Sequence, residues 1–409
     1  MKLKNIIFAL LVICCLPACS KDEPVVGGDS GEAAEASVSF VVSSDPTKAV
    51  AVTDKESFIR TLTAYIFKDE PSYPFVTSKT ITSDGQNTIT QIEDIKVKVQ
   101  LDENGNSADK FVVVFVANAT PATDVSSLDV LMASTIHTAD FSDGILPMSS
   151  AKIRFANLKA GDNWVYADSR SNDDFVDGNV EYRPGKANVA LTRFVSRVEV
   201  DKLDVNFSDD GSAEGSIPVK YPNASFTLHT ISLVNVNAAT YISGEVEVSS
   251  YLRGLSDAVY NPLAGELTWI ASSGYLAYLT HDYSGNPVEL KGSDEFFFID
   301  KTDAKKDGEK FVRYMYPNSA AKGTALLISG MFKRNASAEP EMRYYRAYLN
   351  EQGLTSPASI GRNNQYVVTI HINGEGSDKP DPISETVGIS VGLSVKPWKV
   401  YEQNEEITN

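Results

Sequence analysis

Apolar and polar residues alternate with period two along most of this chain. Successive side chains on a strand point to opposite faces, so an apolar residue at every second position marks a strand with one buried face. The most regular instance is 387–398, where Val387, Ile389, Val391, Leu393 and Val395 alternate with Gly388, Ser390, Gly392, Ser394 and Lys396. It predicts a long final strand with one aliphatic face and one face of mostly very small side chains. Pro380 and Pro382 set it apart from the body of the chain. As the last strand it can pair in its own fold or in another molecule's. A shorter relative lies at 38–42, with Val38, Phe40 and Val42 on one face.

The same pattern predicts strands at 58–67, 92–101, 110–117 and 187–200, then at 225–236, 296–299, 311–316, 324–333, 344–349 and 365–373. Asn104-Gly105 falls between the runs 92–101 and 110–117, a strong hairpin signal. A short helix is expected within 125–134, and an acidic loop with a short strand over 161–184. Residues 23–36 have no period and read as a tether, and 374–385 as a Gly/Pro/Asp linker. The polar break at 208–215 places a boundary near 206. Helical periodicity is scarce, so the fold class is all-β, with a β-sandwich in each half. No repeat of solenoid or propeller length is present.

The 409 residues suffice for two domains. The net charge of −17, with no basic run beyond the extreme N-terminus, argues against a nucleic-acid partner, since phosphate binding needs clustered Lys and Arg. The N-terminus reads as targeting. Lys2 and Lys4 precede an apolar stretch, 6–16, that is too short to span a bilayer. Leu16-Pro17-Ala18-Cys19 then resembles a bacterial lipobox, with Cys19 as the lipidated first mature residue. Cys14 and Cys15 would leave with the signal, so no internal disulfide can form. Ser20-Lys21-Asp22-Glu23 resembles the surface-export signal of Bacteroidetes lipoproteins. The expected organisation is a signal peptide (1–18), a tether (19–36), two domains (37–206 and 207–385), and a final strand with its tail (386–409).

Candidate chemistry is sparse. His137, His229, His281 and His371 lack partners at metal-ligand spacing, and HExxH, CxxC and P-loop patterns are absent. Gly388 to Gly392 matches G-x-S-x-G, but that motif needs its serine on a strained strand-to-helix turn, and here the alternation runs straight through. The acidic stretch 172–179 fails the calcium-loop template: with Gly178 at the sixth position, Phe175 and Pro184 fall on ligand positions. Neither an enzyme nor a metal or cofactor is expected. Trp398 suits either a cap on the sandwich end or an anchor in a neighbour's pocket. Tyr241, Tyr251, Trp269, Tyr275 and Tyr278 could form an aromatic platform, leaving a glycan-binding surface lipoprotein as an alternative; core packing explains them equally.

Several motifs in order resemble the major fimbrial subunits, or fimbrillins, of Bacteroidetes type V pili. They are the lipobox at Cys19, the first strand followed by Thr47-Lys48-Ala49, Leu146-Pro147-Met148-Ser149, Leu191 to Val200 with Arg193 and Arg197, Ser232 to Val236, Tyr314 to Asn318, Tyr344-Tyr345-Arg346, Gly361 to Ile370, and Val395 to Trp398. The resemblance implies two transthyretin-like β-sandwich domains in tandem, with an extended C-terminal strand. It implies export as an outer-membrane lipoprotein and removal of lipid, tether and first strand by a trypsin-like protease, here between Lys48 and Ala49. It further implies that Val387, Ile389, Val391, Leu393, Val395 and Trp398 of one copy fill the groove so opened in the next. Family members are usually cut after Arg. Arg60 is the alternative site, but it falls in the strand expected at 58–67. The implied partners are other copies of the chain, accessory pilus subunits and the protease, and the implied role is a pilus shaft supporting adhesion. An accessory or tip subunit is the nearest alternative.

Overall fold

The structure is a computed structural model that describes residues 32–44, 55–167, 174–179, 181–183, 188–207, 221, 223–245, 251–253, 277–299, 308–318, 324–349, 359–380 and 389–397. Cys19, Lys48, Ala49, Val387 and Trp398 lie outside the described residues, as do Trp269 and Tyr275. The chain is nearly all β. Its longest described helix is the single turn Leu128–Met132, capped by Ser127, whose hydroxyl accepts from the Val130 amide.

In the first half a ten-stranded sheet wraps one core. Its path runs Val176–Asp177, Ile153–Ala156, Phe111–Ala117, Met148–Ser149, Val189–Arg193, Glu32–Ser44 and Gln91–Leu101. Thr61–Lys68 branches from Phe111–Ala117 and carries Phe75–Thr82 at its outer side. All seven residues of Phe111–Ala117 are buried, which fits their unbroken apolar run. In the second half two sheets share a core. One is ordered Gly308–Glu309, Glu295–Ile299, Ser196–Val205, Asn364–Ile372, Ile389–Pro397; the other is ordered Tyr251–Arg253, Ser225–Asn237, Ala325–Lys333, Glu341–Tyr348. Phe226, Ile231, Leu326, Val368 and Ile370 meet between them. A third apolar cluster joins the halves, with Val112, Val114, Leu146 and Phe194 packed with Tyr314 and Tyr316.

Three departures from the sequence expectations bear on the strand pairing. The first strand begins at Glu32, well before Val38 and inside the stretch expected to be tether. Ala34 and Ala36 continue its inward face, but alanines among glutamates carry little hydrophobic signal. The Asn104-Gly105 turn forms, with Gly105 at φ +74° and its amide 3.0 Å from the Asp102 carbonyl. It does not make a hairpin. Gln91–Leu101 pairs with the first strand and Phe111–Ala117 with Thr61–Lys68, so the two runs part after one bridge between Leu101 and Ser107. Finally the run expected at 187–200, within the expected first domain, is two strands, Val189–Arg193 and Ser196–Val205, and the second pairs only with second-half strands among the described residues.

Phe40 sits at the centre of the first core, edge-on to Phe115 at 5.1 Å and to Phe155 at 5.6 Å. Emptying such a site forfeits both transfer and packing terms, so Phe40→Ala should destabilise the uncut chain by about 3–5 kcal/mol, read from a denaturant titration.

Candidate strand-exchange site

The first strand is an interior strand. On one side it runs antiparallel to Gln91–Leu101, from Glu32 opposite Leu101 to Val41 opposite Gln91, with a register shift between Val38 and Phe40. On the other side Ala36–Phe40 pairs in parallel with Gly161–Val165, and Val42–Ser44 with residues 189–191. Ala36, Val38, Phe40 and Val42 are at most 2% exposed. The opposite face is small and polar. The Ser37 hydroxyl donates to Asp94 Oδ1 at 2.9 Å, and the Ser39 hydroxyl accepts from the Asp94 amide at 3.2 Å. Fully buried Asn163 braces the flank, donating to the Lys159 and Gly161 carbonyls at 2.8 and 2.9 Å. The inward face thus spans at least Ala36 to Val42, longer than its strongest hydrophobic residues indicate.

The last strand, Ile389–Pro397, lies at a sheet edge. Among the described residues it pairs only with Asn364–Ile372, antiparallel. The register sets Ile389, Val391, Leu393 and Val395 opposite Ile372, Ile370, Val368 and Tyr366, the residues that Asn364–Ile372 buries. In this structure, then, the final strand is folded back on its own chain. Ser390 stands opposite His371, whose Nδ1 lies 2.5 Å from Asp204 Oδ1. The ladder runs unbroken through Ser390 to Pro397, so the serine sits on a straight strand rather than the strained turn a nucleophile elbow requires.

The start of the expected linker is fixed. Glu375 accepts from Arg343 Nη2 at 2.7 Å, from Arg334 Nε at 3.1 Å and from the Tyr221 hydroxyl. The Tyr345 hydroxyl donates to the Gly374 carbonyl at 2.9 Å, and Tyr344 and Ser377 exchange two backbone bonds at 2.9 Å. Gly376 has φ +76°, and a Cβ there would stand 2.7 Å from the Tyr345 ring, so the anchor needs glycine at this position.

The next described element after the first strand is the 3-10 turn Lys55–Ser57, which ties the halves together. Arg193, 2% exposed, donates from Nε to the Glu56 carbonyl and from Nη2 to the Ser57 hydroxyl, both at 2.9 Å. The Glu56 carboxylate meets Arg197 Nη1 at 3.1 Å and accepts from the Tyr314 hydroxyl at 2.6 Å. Burial, with Glu56 adding to it, raises the Tyr314 phenol well above its ordinary value, so it stays a donor. Arg362 backs this junction, donating to the Thr192 carbonyl at 2.9 Å and covering the Phe194 ring at 4.7 Å. Burial lowers its guanidinium to about 10. Arg193 and Arg197 were legible only as two charges near a domain edge; a partner far earlier in the chain leaves no local signal.

Arg60 is not within a strand. It occupies the bend before Thr61–Lys68, its side chain half-exposed and 3.5 Å from Asp143. In the acidic stretch, Asp177 accepts from Asn157 Nδ2 at 2.6 Å, and Phe175 lies under Lys110 and Arg154. Among the described residues no group of three or more His, Cys, Asp or Glu could hold a metal ion, and no helix is long and apolar enough to cross a membrane.

A sequence profile described as major fimbrial subunit protein (FimA) matches residues 36–193, from the inserted first strand to the Arg193 clamp. The chain is 22% identical over 415 residues to the major fimbrium subunit FimA type-4 of Porphyromonas gingivalis, covering 96% of each. The chain is similar to the fimbrillins. The fold is shared with the crystal structure of a fimbrillin from Porphyromonas gingivalis W83, at TM-score 0.57 and 20% identity over 90% of this chain and 99% of that one. It is shared too with a structure described as that of a candidate cell adhesion protein of Parabacteroides distasonis, at TM-score 0.58 and 18% identity over 91% and 99%.

The Glu375 anchor has a pH signature. Burial opposes its charge, but hydrogen bonds from Arg334, Tyr221 and Arg343 outweigh that and bring its carboxyl to about 2 from an ordinary 4.5. A carboxylate held low in the folded state contributes stability above its ordinary value and loses it as pH falls toward the lowered one. Thermal melts from pH 6 to 2 should therefore show a shallower acid limb for Glu375→Gln than for the unsubstituted chain in the window from about 4.5 to about 2.

Proposed function

We propose that this chain is a structural subunit of a surface fimbria, forming the pilus shaft and supporting adhesion. It is exported as a lipoprotein anchored in the outer membrane through Cys19. A trypsin-like protease cuts between Lys48 and Ala49, and residues 19–48 leave with the lipid and the first strand. The vacated groove takes the C-terminal strand of another copy, with Val387, Ile389, Val391, Leu393 and Val395 as its apolar row and Trp398 as a terminal anchor. Other copies and accessory subunits are its partners.

The observation that carries this reading is the contrast between the two end strands. The first, Glu32–Ser44, is flanked on both sides and fills the first core. Lys48 lies in the sequence between this strand and the next described element, Lys55–Ser57. The last is an edge strand paired on one side, with a matching alternation of aliphatic and tiny residues. An edge strand that moves into a two-sided slot gains a second ladder, worth roughly 0.5–1.5 kcal/mol net per hydrogen bond. That gain favours exchange over refolding on its own sheet. The contact is head-to-tail, so it propagates as an open polymer. Arg60 suits the protease less well, because its amide and carbonyl are both hydrogen-bonded.

Protein sheared from the cell surface should start at Ala49 and run as a ladder of multimers when loaded unboiled. A lipidated monomer starting at Cys19 would contradict the shaft role, and a matured chain that never forms ladders would favour a tip position. Deleting residues 388–409 should abolish the ladder while leaving the Ala49 terminus unchanged.

A further inference from the structure

We propose that residues 55–61 form a processing stop, which denies a Lys/Arg-directed protease the next two basic residues after Lys48. This rests on the reading that the chain is matured by cutting at Lys48. Lys55 and Arg60 are the basic residues that come next. Both present exposed side chains, so neither is hidden from a specificity pocket. A protease must also draw the flanking backbone into its cleft as an extended segment free of its own hydrogen bonds. Here that backbone is taken.

At the Lys55–Glu56 bond, the Phe58 amide closes the turn onto the Lys55 carbonyl at 3.1 Å, and Arg193 holds the Glu56 carbonyl at 2.9 Å. Ser57, 3% exposed, is held through its hydroxyl by the same guanidinium. At the Arg60–Thr61 bond, one side chain does most of the holding. Asn118 Oδ1 accepts from the Arg60 amide at 2.8 Å and the Thr61 amide at 3.2 Å, while its Nδ2 donates to the Phe58 carbonyl at 2.7 Å. The Ser83 amide takes the Arg60 carbonyl at 2.8 Å. Between the two bonds, Ile59 is buried at 1% exposure, with its amide on the Thr88 hydroxyl and its carbonyl on the Ile89 amide. Arg193 and Asn118 thus guard one bond each, from two different strand ends. The stop has a use in the matured subunit: it keeps the new N-terminal segment attached at the mouth of the groove and keeps trimming from reaching Thr61–Lys68.

The test is a time course of trypsin on the folded full-length chain, with new N-termini identified by mass spectrometry. The unsubstituted chain should yield Ala49 and no Glu56 or Thr61 terminus until digestion of the fold itself. Asn118→Gly should speed cleavage after Arg60 at least roughly tenfold and leave Lys55 resistant, and Arg193→Met should do the reverse. Tyr314→Phe, which loosens Glu56 while leaving Arg193 in place, should speed cleavage after Lys55 by a smaller factor. Global unfolding is recognised by simultaneous cuts at mid-strand sites such as Lys79 and Lys96; if Arg193→Met shows it, Tyr314→Phe decides the Lys55 bond. Cleavage of the unsubstituted chain after Lys55 or Arg60 as fast as after Lys48 overturns the stop, as do folded variants whose two bonds stay resistant. Resistance at Lys48 itself contradicts the maturation reading instead, and is scored separately.

Discussion

The molecule depends on how the strand Glu32–Ser44 is held. It is the first strand among the described residues and yet an interior one, gripped by Gln91–Leu101 along one side and by Gly161–Val165 and residues 189–191 along the other. Phe40, Val38 and Val42 supply part of the first core, and each such side chain is worth roughly 1.5–3 kcal/mol on full burial. A strand this deeply inserted would ordinarily be locked by its covalent context. Here the next described element along the chain is the turn Lys55–Ser57, so the strand and the rest of the first core are separated in sequence by residues 45–54.

The opposite end of the chain has the complementary property. Ile389–Pro397 completes a sheet but contributes only its edge, and the residues before it are pinned at Gly374, Glu375 and Ser377. Between the two ends, Glu56 gathers Arg197 and Tyr314 onto the turn that Arg193 holds, so the chain just beyond the first strand is fastened to both halves. Release of the first strand therefore need not loosen the turn at 55–57 or the strand Thr61–Lys68.

Much of this was legible in the sequence. Alternation located Ser225–Asn237, Ala325–Lys333, Asn364–Ile372 and the final strand to within a few residues, because each carries large apolar side chains at most alternate positions, with Gly330 and the register shift after Leu228 as interruptions. The partnering of strands was not legible. The first strand pairs in parallel with segments more than a hundred residues away, and the Asn104-Gly105 turn was outweighed by long-range packing that drew its flanking strands to different neighbours. The clamp was hidden for the same reason. Arg193 reaches a carbonyl 137 residues earlier, and Asn118 holds a bend 58 residues before it. Such pairings depend on the closed fold and leave no periodicity behind.

Removing the first strand should create a receptor for the last. A labelled peptide of residues 386–398, titrated against the intact chain and against the chain cut after Lys48 and freed of its N-terminal segment, tests this directly. Saturable binding to the cut chain and none to the intact one is expected. Equal binding to both, or none to a cut chain that remains folded, would contradict it.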